Sequence, residues 1–294
     1  WQVADINSGS VGSYPGQYGM EILVGDTIYF GADDGNDGIE LWAHDTSNAS
    51  TWQVADLYSG SDSSSPGLYG MEILVGDTIY FSANDGVDGR EMWAHDTSNH
   101  STWQVADINS GSLGSNPGQY MDSILVGDTI YFDANDGGSD IELWAHDTSN
   151  HSTWQVAEIW SSNIGSKPGR YMDPILVGDT IYFDANDGVD GVELWAHDTS
   201  NQSTWQVADI NSGVGGSIPY GNDMEFLVGD TIYFSADDAI DGIELWAHDT
   251  SNASTWQVAD INSGSVGSYP GQYGMEILVG DTIYFGADDG NDGI

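Results

Sequence analysis

Five Asn-x-Ser tripeptides stand at one fixed spacing: Asn48-Ala49-Ser50, Asn99-His100-Ser101, Asn150-His151-Ser152, Asn201-Gln202-Ser203 and Asn252-Ala253-Ser254. The chemistry they offer is covalent attachment of a glycan to the asparagine amide nitrogen on a surface turn of a secreted protein. The middle residue varies while Asn and Ser do not, and other asparagines, such as Asn7 and Asn36, do not complete the motif. A glycan on every unit would give a regular sugar coat. Asn and Ser are also good turn formers that duplication would copy, so five matches weigh little more than one. Neighbouring Ser and Thr leave O-glycosylation open.

A second recurrent group is acidic. Asp33, Asp34 and Asp37 flank Gly35 and are followed by Glu40; the counterparts are Asp85, Asp88 and Glu91, then Asp136, Asp140 and Glu142, then Asp187, Asp190 and Glu193, then Asp238, Asp241 and Glu244. Several carboxylates in one glycine-rich loop make Ca²⁺ a candidate, since it takes oxygen ligands in flexible geometry. The spacing is not that of an EF-hand, and Gly/Asp loops also join strands without metal.

Other chemistry is sparse. His44, His95, His146, His197 and His248 come one per unit and suit packing or an edge better than a metal cluster; His100 and His151 fall in turns. Trp and Tyr faces can stack on sugars, but most occupy regular strand positions expected to form the core, with Trp160, in a variable loop, as the exception. No Ser/His/Asp order, phosphate loop or lone carboxylate pair stands out, and there is no cysteine, which removes thiol catalysis, disulfides and zinc–thiolate sites. Catalysis is not expected.

These groups are positioned by a repeat. Trp-Gln-Val-Ala returns at Trp1, Trp52, Trp103, Trp154, Trp205 and Trp256, a period of 51 residues. The units are 1–51, 52–102, 103–153, 154–204 and 205–255, and a partial sixth, 256–294, is identical to 1–39. This points to a piece of a longer repetitive protein. Within one unit, Trp1–Ile6 reads as a strand, Asn7–Gln17 as a Gly/Ser/Pro loop, Met20–Val24 as a strand, Gly25-Asp26 as a two-residue turn and Thr27–Ala32 as a strand. Asp33–Gly38 is the acidic loop, Glu40–Asp45 a fourth strand and Thr46–Thr51 a polar turn. No stretch carries helical periodicity or caps. Ile28, Phe30, Leu41 and Ala43 are expected on one face and Tyr29 and Trp42 on the other, so the sheet is apolar on both sides and suits stacking between neighbours. The fold expected is all-β: tandem four-stranded units like propeller blades, or an open, fibre-forming array of the same units.

Glu40-Leu41-Trp42-Ala43-His44-Asp45-Thr46, with Ile28-Tyr29-Phe30-Gly31-Ala32-Asp33-Asp34-Gly35 upstream, resembles the ELWxxDGT repeat family of large bacterial surface and secreted proteins. Glu91-Met92-Trp93, Glu142-Leu143-Trp144, Glu193-Leu194-Trp195 and Glu244-Leu245-Trp246 extend the resemblance to every unit, whereas Thr46 stands where the family has glycine. The resemblance implies propeller-like β repeats and brings no catalytic residues.

Composition narrows the partners. With 47 acidic residues against Arg90, Lys167 and Arg170, the formal charge is −44. That excludes nucleic acid and opposes anionic membranes. It fits an extracellular or cell-surface protein in cation-containing water. Apolar residues at 39% and aromatics at 12%, at fixed positions, supply a core, and no apolar run approaches the ~18 residues of a membrane span. The function expected is an extracellular structural repeat protein, glycosylated, whose partners are copies of itself in a fibre or coat. The alternative is a multivalent carbohydrate-binding propeller of lectin or adhesin type.

Overall fold

The computed structural model describes residues 2–17, 19–138, 140–161, 164–219, 224–272, 274 and 276–291, and every regular element among them is a β-strand. The first sheet runs in chain order from β1 (Glu21–Val24) through β2 (Thr27–Asp33) and β3 (Ile39–Asp45) to β4 (Ser50–Ala55), each antiparallel to the next. Gly25 takes φ 61°, as the first central residue of a type II′ hairpin turn must, and so sets Val24 opposite Thr27. The same four-stranded sheet recurs from Glu72 to Ala106, Ile124 to Ala157, Ile175 to Ala208 and Phe226 to Ala259, and a two-stranded sheet joins Glu276–Val279 to Thr282–Phe285.

The Trp cassette is the last strand of a sheet. Trp1 lies outside the described residues, and Gln2–Ile6 form no strand. In the later units the cassette pairs with the strand before it, because the turn from Asp45 to Ser50 is tight enough to fold it straight back. Each sheet therefore straddles a boundary of the 51-residue sequence unit.

The face assignment also needs correction. The register sets Tyr29 opposite Ala43, Gly31 opposite Leu41 and Phe30 opposite Trp42. Directly opposed residues share a face, so Leu41 and Ala43 side with Tyr29, while Phe30 sides with Trp42. Alternation along each strand was legible; the register between them was not.

Two compact units, Trp1–Gln155 and Val156–Ile294, divide the chain. Within the first, Met20, Tyr29, Leu41 and Ala43 of one sheet bury Ile79, Phe81 and Ala83 of the next. Met71, Tyr80, Met92 and Ala94 do the same to Ile130, Phe132 and Ala134. Within the second unit, Met172, Tyr182, Leu194 and Ala196 cover Ile232, Phe234 and Ala236. Each interface thus joins a Tyr/Leu/Ala face to an Ile/Phe/Ala face. At about 1.5–3 kcal/mol for each large apolar side chain fully buried, this stacking dominates stability. The loop between sheets passes so near that a Cβ on Gly67 (φ 75°) would lie 2.7 Å from the Met20 Cβ.

Candidate functional site

The five glutamates of the Glu-Leu/Met-Trp strands differ from the acidic-loop aspartates in being buried, and Glu142 and the loop residue Asp140 have carboxylate oxygens within 4.8 Å of one another. Glu40 is fully buried; its Oε2 accepts the Leu57 N–H at 2.8 Å and its Oε1 the Ser64 N–H at 2.9 Å. Glu91 accepts from Ile108 N (3.0 Å), Ser115 N (2.7 Å) and Ser115 Oγ (2.6 Å). Glu193 holds Ile210 and Ser217, and Glu244 holds Ile261, Asn262 and Ser268, by the same pattern. Glu142 is likewise buried. The held serine then accepts through its carbonyl from the following sheet: Asn84 N to Ser64 O at 3.0 Å, Asn135 N to Ser115 O at 2.9 Å, Asp237 N to Ser217 O at 2.9 Å. Glu40, Glu91, Glu193 and Glu244 are each a staple from their sheet, through the loop, to the next sheet. Burial raises the carboxyls of Glu40 and Glu193 and carries Glu91 to about 7, against the lowering effect of the donated hydrogen bonds. Sequence reading grouped these residues with the calcium candidates; the overlooked signal was a carboxylate flanked by Ile39 and Leu41 in a strand.

The loop carboxylates act locally. Asp34 Oδ1 accepts Asn36 N (2.8 Å) and Asp37 N (3.1 Å). Asp85 closes on Val87 and Asp88, Asp187 on Val189 and Asp190, and Asp238 on Ile240 and Asp241. Asp33 accepts the Gly35 N–H one residue earlier. Asp136 and Asp140 lie in the corresponding loop before Ile141.

All five sequon asparagines are exposed. Asp45 organises the first turn: its Oδ1 accepts Ser47 N (2.8 Å) and Ser47 Oγ (2.6 Å), and its Oδ2 accepts Asn48 Nδ2 (2.6 Å). Asn48 Oδ1 accepts the Ser50 N–H at 2.9 Å, with Ala49 at φ 61°. The bonds recur around Asn99, Asn150, Asn201 and Asn252. The Ser47 hydroxyl and amide hold the Asp45 carboxyl below its ordinary value, and Asp96, Asp147, Asp198 and Asp249 behave alike. The asparagine is therefore a structural turn residue whose amide also stands in solvent.

The strand histidines pack. His95 meets the Tyr29 ring of the preceding sheet at 5.4 Å, His146 meets Tyr80 at 5.5 Å, and His248 meets Tyr182 at 5.6 Å. Their Nδ1 atoms lie 2.8–2.9 Å from the hydroxyls of Thr102, Thr153 and Thr255. Burial lowers His95 and His146 to about 4. The Nε1 atoms of Trp42, Trp93, Trp195 and Trp246 and the facing amide Nε2 atoms of Gln53, Gln104, Gln206 and Gln257 are buried donors without an acceptor. Trp42 also lines an open groove with Val3, Asp5, Ala49 and Thr51.

No protein-family model matches the sequence, and no curated protein matches it. Solved structures do match in fold. A prolyl endopeptidase structure aligns at 12% identity and TM-score 0.50, over 91% of this chain and 38% of its own. BamB from Moraxella catarrhalis aligns at 17% identity and TM-score 0.45, over 91% and 72%, and TolB from Acinetobacter baumannii at 13% and 0.41, over 78% and 50%. The chain thus spans half the length of the TolB chain and less of the endopeptidase. The matched structures are propeller-like, and the likeness is one of fold alone.

Proposed function

We propose that this chain is a structural repeat protein of the cell exterior, whose sheets form a stack and whose turns carry sugar. The observation that carries this is repetition of both parts together: the same sheet-to-sheet contact and the same exposed Asn-x-Ser turn are rebuilt along the chain. Motif resemblance to the ELWxxDGT surface proteins and the −44 charge support an extracellular setting. Copies of the chain are the partner the chemistry favours. Calcium at the acidic loops is a proposed auxiliary that screens neighbouring carboxylates.

Intact mass of the native protein tests the sugar. Each Asn→Gln change at Asn48, Asn99, Asn150, Asn201 or Asn252 is expected to remove one glycan mass; a native mass equal to that of the bare polypeptide contradicts it. Carbohydrate capture is the second reading, favoured by the exposed Trp52, Trp205 and Trp256, whose ring faces can stack on sugars. A glycan array probed at millimolar calcium distinguishes it: hits support capture, and a blank array leaves the structural role.

A further inference from the structure

The antiparallel order of each sheet sends its two kinds of connection to opposite ends. The sequon turn and the Gly-Asp hairpin lie together at one end, where Thr46 N donates to Asp26 O at 2.8 Å. The acidic loop and the loop that follows the Trp cassette lie at the other. At this second end the two loops of a repeat touch. In the second compact unit, parallel bridges join Val192 to Gly216 and Ile243 to Gly267, and a Cβ on Gly242 would lie 2.8 Å from the Val266 carbonyl carbon. The loop tips carry apolar side chains that the fold does not bury: Val189, Val214, Ile240 and Val266 are 64–85% exposed. The two sheets that bear them are stacked, so the four lie along one end. The first unit builds the same pair from Val87 and Leu113, 70% and 82% exposed.

Single exposed aliphatic side chains are ordinary; four along one end of two stacked sheets form a stripe. The loop after the cassette is the most variable part of the repeat. Even so, Val11, Leu113, Ile164 and Val266 each precede its Gly-Ser, Val214 lies one residue earlier in the fifth repeat, and only the second repeat has Asp62 there. The side chain thus changes among Val, Leu and Ile while its apolar character is kept, although core packing does not require it. Carboxylates rim the stripe. Asp187 accepts the Val189 N–H and Asp238 the Ile240 N–H, each at 2.8 Å. Desolvation, and then the charges of Asp190 and Asp187, raise the Asp209 carboxyl above its ordinary value. Lys167 and Arg170 are the only lysine and arginine of the second unit. A second copy of the chain or an anionic membrane would bring more negative charge to this end. The complementary surface is apolar side chains interspersed with cations.

We propose that the end of the sheets away from the sequon turns docks a cationic amphipathic segment of another protein. Its apolar side chains cover Val189, Val214, Ile240 and Val266, and its Lys or Arg side chains meet Asp187, Asp190 and Asp209. This partner is additional to the stacking and the sugar proposed above and requires neither. The test is a fluorescence anisotropy titration of a labelled Leu/Lys peptide, apolar at helical spacing, with the whole chain in about 150 mM NaCl, where salt screens plain charge attraction. A scrambled isomer of the same composition is the control. Saturable binding is expected, about tenfold or more tighter than that of the isomer. Combining Val214→Ser, Ile240→Ser and Val266→Ser leaves every charge in place and is expected to weaken binding about tenfold or more, at unchanged Tm because these side chains are exposed. The isomer comparison needs no variant and decides the matter if the triple variant does not fold. Equal binding of the two peptides, or undiminished binding by the triple variant, means attraction by charge alone and overturns the proposal. So does self-association of the wild type in sedimentation velocity that the triple variant loses, since a second copy would then occupy the stripe.

Discussion

Buried carboxylates set the residue-scale behaviour. Asp133 is wholly buried, with desolvation lifting it from an ordinary 3.8 to about 7 against the pull of the Met121 and Tyr120 N–H groups. Between roughly pH 4 and 7 the unfolded chain releases this proton while the folded chain keeps it. The stability it contributes is therefore full below about 4 and lost as pH rises to 7, on the order of 4 kcal/mol. Replacing Asp133 with Ser, as at Ser82, should shift Tm relative to wild type progressively upward across that window and level off above it. A difference that is constant with pH contradicts the assignment. Glu91 is different because its oxygens satisfy several donors. Glu91→Ala strands the Ile108 and Ser115 N–H groups and should cost about 3 kcal/mol in denaturant unfolding. A loss below 0.5 kcal/mol, the range of a plain surface substitution, would show that the staple is not structural.

At the scale of elements, the stacked faces make one prediction. Phe132 is fully buried between sheets, so Phe132→Ala should cost about 3–5 kcal/mol. Much of the strand layout was legible because Gly25-Asp26, the β-branched and aromatic runs and the 51-residue period are local signals. The register was not: whether Phe30 lies beside Leu41 or Trp42 depends on how the chain re-enters at Ile39 after the acidic loop. The role of Glu40 was hidden for a related reason. Its partners, Leu57 and Ser64, lie 17 and 24 residues downstream across a loop of variable sequence. The sequon turn was read as a turn from Asn and Ser, but the organising residue is Asp45, whose carboxylate gathers the bonds.

At the scale of the whole molecule, charge and repetition dominate. A formal charge of −44 opposes compaction, so Tm should rise between 10 and 500 mM NaCl. Millimolar CaCl₂ at matched ionic strength separates screening from site binding: a further rise supports calcium in the acidic loops, and no further rise leaves screening alone. The sheet-to-sheet interface, the Glu–Ser staple and the Asn turn are each periodic, and one departure from periodicity, the buried Arg90, is confined to a single repeat. Cryo-electron microscopy of the native material at side-chain resolution tests the central claim most directly. The account predicts continuous stacks of four-stranded sheets, with density branching from Asn48 and its equivalents. Discrete closed particles with bare asparagines would contradict it.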